Sequence, residues 1–340
     1  MTHGVIARRN WASGKGKEKE GHLDNVNKSL KHCNKAIQFD ERRMFLKAEK
    51  EYLTALKYNP DNPYVLYGLG THYRGRGDNR RAYLYHKKFL VVFDAIEEML
   101  TAMDYDINEV DDIETAVNLW IAQEDRATML ACAANTLDHM DDPDAQRFLE
   151  MAVRLSPASE CVRFNMGAYY LKRGFFEDAL KEFQKAHKIN PDDPDTVVNI
   201  GHCLCYMNLR EEEVRIYEEY LKDHQPTVDI LIHLSFGYLD LDRYDDSVIS
   251  FREYASFLPD SAEAHAGLAL VYAHKGWKNE SYKEIEVAQQ LNATARDKWV
   301  EDLIRDALEI LEDPDNNYTT LLFLLLLMVR RKAHRINYGR

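Results

Sequence analysis

A spacing of 34 residues recurs through the middle of this 340-residue chain. Small residues, a large apolar or aromatic residue and a proline return in the same order from one window to the next. The residues that keep this order are Ala145, Leu149, Ala152 and Pro157, and then Ala179, Phe183, Ala186 and Pro191. A period of this length predicts stacked supersecondary units, because each unit buries its apolar face only against its neighbours. We therefore expect an extended working surface and no enclosed catalytic pocket.

Each unit is predicted to be a pair of antiparallel helices. In residues 160–191, Gly167 and Ala179 are small enough to let two helices approach, and Phe183 fills the space beside them. A capping residue followed by proline is typical of a helix start, because proline at the first helical position needs no amide partner. Starts of this kind occur at Asn62–Pro63 and Asp193–Pro194.

These residues resemble tetratricopeptide repeats, a family of 34-residue helix-turn-helix units. The resemblance covers about residues 29–293, in about seven repeats, and is most specific over 126–293. It implies an all-α, right-handed superhelical solenoid of antiparallel helix pairs that binds other proteins. Residues 95–125 form a divergent repeat or inserted helices. Glu213 replaces the family's small residue, which predicts looser stacking over residues 208–226.

The positions of the repeats divide the chain into four predicted segments. Residues 1–28 are predicted to be a polar, basic and disordered tail, and residues 29–294 form the repeat array. Residues 295–314 are predicted to be a capping helix, because apolar residues at helical spacing can cover the end of a stack. Residues 315–340 are apolar and then basic.

The first helix of each repeat builds the inner groove in this family, so repeat phase implies which residues face it. The implied binding residues are Phe164, Asn165, Ala168, Val198, Asn199, His202, Ile232, His233 and Phe236. Apolar residues exposed in a strip mark a binding surface, and aligned asparagines can hold a partner's backbone. The alternative is that the apolar residues face neighbouring helices and the asparagines are local caps. A different mode of the family, the clamp for acidic chaperone tails, is disfavoured because Asp229 and His233 stand where it needs Lys and Arg.

The C-terminal segment has nine consecutive apolar residues, 321–329, followed by Arg330, Arg331 and Lys332. A bilayer span needs about 20 apolar residues, so a transmembrane anchor is disfavoured. Three interpretations stay open: a last buried helix, a helix that docks into a partner or second copy, and a helix on a membrane surface. The predicted docking residues are Leu321, Leu322, Phe323, Leu324, Leu325, Leu326 and Leu327.

The charge pattern argues against a nucleic-acid partner. The chain has 44 basic and 57 acidic residues, a net charge of −13, with basic residues concentrated at both ends. An acidic body with basic ends is compatible with self-association. The local basic cluster is interpreted as a solvated turn between helices and consists of Arg74, Arg76, Arg80 and Arg81.

Cofactor and metal sites are not expected. The five cysteines, Cys33, Cys132, Cys161, Cys203 and Cys205, form no disulfide-like framework. Two residues two apart on a helix point about 200° away from each other, so Cys203 and Cys205 cannot share an ion near His202. Phosphate-loop and nucleophile-elbow motifs are lacking as well, which predicts that the protein is not an enzyme.

We therefore expect a cytoplasmic, non-catalytic scaffold or adaptor that binds a partner segment in its groove and helps to organise a complex. One alternative is a structural subunit of a fixed oligomer or filament, assembled through the apolar C-terminal helix. A second alternative is a targeting factor on a membrane surface. The sequence does not identify the partner.

Overall fold

The computed structural model describes residues 16–103 and 123–313, with side chains placed for 24–98 and 125–313. Within these ranges the chain forms 15 helices and no strand, which confirms the all-α prediction. In chain order the helices are α1 (Gly16–Glu41), α2 (Phe45–Tyr58), α3 (Pro63–Gly75), α4 (Asn79–Met103), α5 (Gln123–His139), α6 (Asp144–Leu155), α7 (Glu160–Lys172), α8 (Phe176–Ile189), α9 (Pro194–Tyr206), α10 (Arg210–Tyr220), α11 (Val228–Asp240), α12 (Tyr244–Phe257), α13 (Ala262–His274), α14 (Lys278–Ala295) and α15 (Lys298–Glu312).

The chain divides into two compact units. The boundary lies between Tyr169 and Tyr170, within α7. The first unit holds α1 to α6 and most of α7, and the second holds the end of α7 and α8 to α15. Each unit has its own buried apolar clusters.

The predicted repeat residues lie at helix contacts. In α8, Ala179, Phe183 and Ala186 are each fully buried, as their spacing predicts. The predicted helix starts are also confirmed. The Asn62 side chain accepts hydrogen bonds from the first amides of α3, and the Asp193 carboxylate accepts one from the amide of Thr196 in α9.

The turn inside each helix pair needs a residue in the left-handed backbone region. Glycine adopts this conformation without a Cβ clash, and Asn or Asp adopt it more readily than other residues. At the turns of the described repeats, positive φ angles occur at Gly77, Gly174 and Gly276, and also at Arg43, Asp141, Asn208 and Asp242. The same turn is therefore made with and without glycine.

The N-terminal boundary differs from the prediction. Helix α1 begins at Gly16, inside the segment 1–28 that we predicted to be disordered. Its buried stripe includes Val26 and Ser29, and Cys33 and Ala36 continue it against α2. Those buried positions stabilise the helix through tertiary packing, which outweighs the polar composition of its first turns.

The divergent segment and the end of the chain are described in part. Helix α4 continues to Met103, into the predicted divergent segment 95–125, and residues 104–122 lie outside the described residues. Helix α15 lies within the predicted capping segment and packs along α13. The predicted docking residues, Leu321 to Leu327, lie outside the described residues.

Glu213, where looser stacking was expected, lies in a buried ion network. The Glu213 side chain is 0% exposed, and its Oε2 lies 2.5 Å from Nη1 of Arg210. Nε of Arg210 lies 3.0 Å from Oδ2 of Asp240, whose side chain is also buried. The cation of Arg210 thus lets α10 enclose a carboxylate beside α11, where the family has a small residue.

Candidate protein-interaction surface

The three predicted binding residues of the first unit are buried in α7. Phe164 is 4% exposed, Asn165 3% and Ala168 8%. The Asn165 side chain donates to the carbonyl oxygen of Cys161 at 2.8 Å and accepts from Nδ2 of Asn135 at 2.7 Å. Its amide thus joins α7 to α5, so the prediction that Asn165 offers hydrogen bonds to a partner backbone is corrected. The Asn165 amide instead forms its hydrogen bonds with Cys161 and Asn135.

Three predicted residues of the second unit are also buried. Val198 and Asn199 of α9 are 4% and 0% exposed, and Phe236 of α11 is 1% exposed. The ring of Phe236 lies edge-on to Phe251 at 5.0 Å and to Trp299 of α15 at 5.9 Å between centroids. The prediction of an exposed apolar strip is therefore corrected for these residues, since neighbouring helices already cover them.

The remaining predicted residues, His202, Ile232 and His233, are partly exposed. The Nε2 atoms of His202 in α9 and His233 in α11 lie 2.8 Å apart, so one imidazole donates to the other. This bond joins the first helices of two consecutive repeats. Ile232 precedes His233 on α11 and packs at the edge of the apolar cluster of the second unit.

Two carboxylates lie on the same two helices. Asp195 is in the first turn of α9 and Asp229 is in the first turn of α11. Asp229 is exposed, yet the surrounding protein and the charge of Asp195 raise the pKa of its carboxyl group. We call Asp195, His202, Asp229, Ile232 and His233 the open strip.

Sequence reasoning noticed Asp229 only as a residue that disfavours the acidic-tail clamp, and it missed Asp195. The sequence does indicate that Asp195 and Asp229 are equivalent, because each is the second residue of its helix in consecutive repeats. The exposure of Asp229 and its interaction with Asp195 agree with that interpretation: the strip presents negative charge where an acid-binding clamp needs positive charge.

The other sequence candidates have local structural roles. Cys203 and Cys205 are buried, and the Cys205 sulfur accepts a hydrogen bond from Arg210, away from His202. Among residues with described side chains, no group of three or more His, Cys, Asp or Glu is placed to hold a metal ion. No described helix has the length and hydropathy needed to cross a membrane.

The basic turn after α3 is compensated by nearby acidic groups. Arg76 lies 3.2 Å from a carboxylate oxygen of Glu49, and Arg81 contacts both Glu49 and Asp78. Arg74 points elsewhere and donates to the carbonyl oxygen of Cys132 at 3.4 Å. Arg74, Arg76 and Arg81 therefore bind groups of the first unit itself, which favours the interpretation of a structural turn.

The known proteins to which this chain is similar include tetratricopeptide repeat proteins. The sequence profile of the tetratricopeptide repeat family matches residues 162–193. The chain is 28% identical to mouse (Mus musculus) Superkiller complex protein 3 over 64% of this chain and 15% of that protein. It is 23% identical to a TPR repeat-containing protein of Methanocaldococcus jannaschii over 59% of this chain and 33% of that one. It is 22% identical to Anaphase-promoting complex subunit 3 of Schizosaccharomyces pombe over 50% of this chain and 25% of that protein.

The chain thus spans a third or less of the length of these three relatives. Among solved structures, PilF of Pseudomonas aeruginosa has a TM-score of 0.52 at 14% identity, covering 71% of this chain and 96% of that one. At this identity the likeness concerns the fold. The repeat profile, the relatives and the helix pairs of both units agree: the chain contains a tetratricopeptide repeat at residues 162–193, and its helix pairs have the tetratricopeptide repeat fold.

Proposed function

We propose that this protein is a non-catalytic scaffold that binds a segment of a partner protein on the open strip, and that the segment presents a Lys or Arg side chain. The names of two relatives, in mouse and in Schizosaccharomyces pombe, describe components of protein complexes, which supports a role in assembly. Family membership alone does not give a partner, so the proposal depends on the chemistry of the strip.

The single observation that supports the proposal most is the environment of Asp229. Its carboxyl group is accessible, but the surrounding protein and Asp195 disfavour its charged form. A cation placed between the two carboxylates would remove that repulsion and replace lost hydration. A partner ammonium or guanidinium group fits this need, and an acidic segment does not.

The neighbouring groups extend the site along the two helices. Ile232 offers a partly exposed apolar contact next to His233, and the partly exposed imidazole of His202 is bonded to His233 from the neighbouring repeat. Guanidinium groups stack on aromatic faces and bind carboxylates through two parallel hydrogen bonds, so arginine satisfies both features better than lysine. We therefore expect a preference for Arg over Lys at this position of the partner.

A binding role agrees with the composition of the strip. All five of its members lie within the described residues, and none is a serine, threonine or cysteine that the two imidazoles could activate as a nucleophile. The structural-subunit and membrane-surface alternatives depend on the apolar C-terminal segment, which lies outside the described residues. No contact in the described part of the chain favours either of them.

The proposal is tested with a displayed library of random 12-residue peptides, selected on the full-length protein. Wild type should enrich peptides with an Arg or Lys at one preferred position. Binding of a synthetic selected peptide should weaken about fivefold in Asp229→Asn, because a partly screened ion pair contributes about 1 kcal/mol. The matched control is Asp178→Asn, which removes an exposed carboxylate from the first turn of α8.

Circular dichroism of each variant checks that folding is unchanged. Enrichment of acidic or purely apolar peptides would contradict the proposal, as would equal binding by wild type and Asp229→Asn. Binding that weakens as strongly in Asp178→Asn would place the interaction outside the open strip. A selected peptide should also bind less tightly at higher salt concentration, since its charge contact is accessible to solvent.

A further inference from the structure

Two cysteines of the first unit face each other across consecutive repeats. Sγ of Cys132 in α5 lies 4.0 Å from Sγ of Cys161 in α7. Cys132 is 5% exposed and Cys161 is partly exposed, so the pair borders solvent on the α7 side. A disulfide has a sulfur–sulfur distance of about 2.05 Å, so the two sulfurs must approach each other by about 2 Å to form one.

The surroundings favour a thiolate at this pair. Contact with the Cys161 sulfur and the charge of Arg74 lower the pKa of Cys132, with a further contribution from Tyr67. The same contact raises the pKa of Cys161, so that the two sulfurs favour sharing one proton. Asn165 also donates to the Cys161 sulfur, at 3.4 Å. Two sulfurs in contact beside a cationic side chain are the arrangement in which one thiol is favoured as a thiolate and the other can attack it after oxidation.

Two of the other cysteines have a different environment. Cys33 is 2% exposed and Cys203 is 0% exposed. Burial in apolar surroundings raises the pKa of each thiol to about 12. Because the thiolate is the reactive form, these two residues are expected to react slowly and serve as internal references.

We propose that Cys132 and Cys161 form a redox-active dithiol, which a peroxide oxidises to a disulfide linking the two repeats. The Cys132 thiolate attacks one peroxide oxygen, the oxygen–oxygen bond breaks, and Cys132 becomes a sulfenic acid as hydroxide leaves. The Cys161 sulfur then attacks the Cys132 sulfur, its proton goes to the departing hydroxyl group, and water leaves. In total, two thiols and one hydrogen peroxide give one disulfide and two waters.

The linked form would alter contacts between α5 and α7. Asn165 bonds the Cys161 sulfur and also joins Nδ2 of Asn135, so a movement of Cys161 toward Cys132 disturbs both bonds. The inference concerns the first unit and does not depend on the open strip, which lies on α9 and α11. Failure of either proposal therefore leaves the other untouched.

The test uses the full-length protein, reduced and then freed of reductant. Hydrogen peroxide is added in small molar excess near pH 7, and peptides are mapped by mass spectrometry without reduction. The expected product is one cross-linked peptide pair containing Cys132 and Cys161, lighter than the two free peptides by two hydrogen atoms. Cys33 and Cys203 should stay reduced over the same time.

Variants identify the order of attack. Cys161→Ser should abolish the cross-link and leave a sulfenic acid at Cys132, which dimedone traps. Cys132→Ser should abolish the cross-link without such an adduct at Cys161. Cys33→Ser is the matched control and should leave the yield of cross-link unchanged.

Two results would overturn the inference. One is oxidation of Cys33 or Cys203 before the pair, and the other is separate adducts on Cys132 and Cys161 without a cross-link. If a serine variant does not fold, the alkylation rates of the cysteines in wild type still decide: Cys132 should be alkylated faster than Cys33 and Cys203 near pH 7, and equal or slower alkylation contradicts the inference.

Discussion

Removal of the Arg210 cation should destabilise the second unit more than the loss of any exposed ion pair. Arg210 lies between Glu213 and Asp240, at 2.5 Å and 3.0 Å, and the three side chains are 8%, 0% and 2% exposed. Arg210→Leu removes the guanidinium group and leaves two buried carboxylates without their cation. Breaking a buried pair in this way costs about 3–5 kcal/mol, because the desolvated charges remain.

The same reasoning gives a pH dependence for the variant. Without Arg210, folding buries two carboxylates whose negative charges have no cation beside them, and protonation at low pH removes that cost. The variant should therefore be least destabilised at low pH and lose stability as pH rises and the carboxylates ionise. We expect the difference from wild type to be larger at pH 8 than at pH 5. At pH 8 the melting temperature should fall by on the order of 10 °C.

Thermal unfolding followed by circular dichroism measures this difference, with calorimetry as a check. The triple variant Arg210→Leu, Glu213→Ala, Asp240→Leu removes all three charges and should recover most of the lost stability, since apolar replacement of a buried ion network is often neutral. A single variant that melts within 1 °C of wild type would refute the reasoning. A triple variant as unstable as the single variant would show that lost packing, and not unpaired charge, causes the effect.

Two further predictions concern Gly201 and Asp306, both in the second unit. A Cβ at Gly201 would lie 1.9 Å from the hydroxyl oxygen of fully buried Tyr217, so Gly201→Ala should lower the free energy of unfolding, measured by chemical denaturation, by about 1–3 kcal/mol. The control Gly75→Ala meets no atom within 4 Å and should be neutral or stabilising. Equal effects of the two substitutions would contradict this prediction. Burial raises the pKa of Asp306 to about 6, so its contribution to stability is full below pH 4 and is lost as pH rises through about 6. Asp306→Asn should therefore stabilise the protein by about 1–3 kcal/mol at pH 8 and have little effect at pH 4, and a gain of equal size at both pH values would be inconsistent with a raised pKa.

Repeat phase predicted the helix pairs well because the same local contacts return in each unit. Ala179, Phe183 and Ala186 are buried in α8 as their spacing requires, and the caps at Asn62 and Asp193 begin helices. The limits of the array were harder to predict. In α1 the stabilising contacts come from α2, so the polar composition of its first turns was a poor guide.

The candidate site was predicted less well, because repeat phase gives the direction of a residue but not what covers it. Phe236 has the phase of a groove residue, yet Trp299, more than 60 positions later, lies against its ring. Cys132 and Cys161 occupy different phases of consecutive repeats, so their spacing of 29 residues gave no signal of contact. His202 and His233 were found because exposure and phase agree for both.

The left-handed turns have a consequence for how this chain has diverged. Of the seven turns inside the described helix pairs, three have glycine at the positive-φ position, and the others have Arg43, Asp141, Asn208 and Asp242 in a conformation that costs a residue with a Cβ about 1 kcal/mol or more. The family profile matches residues 162–193, whose turn contains Gly174. A repeat can thus lack the motif residues by which the family is recognised and still have the same backbone conformation, because packing against neighbouring units stabilises the turn. The number of repeats in such a chain is better counted from its turns than from its motifs.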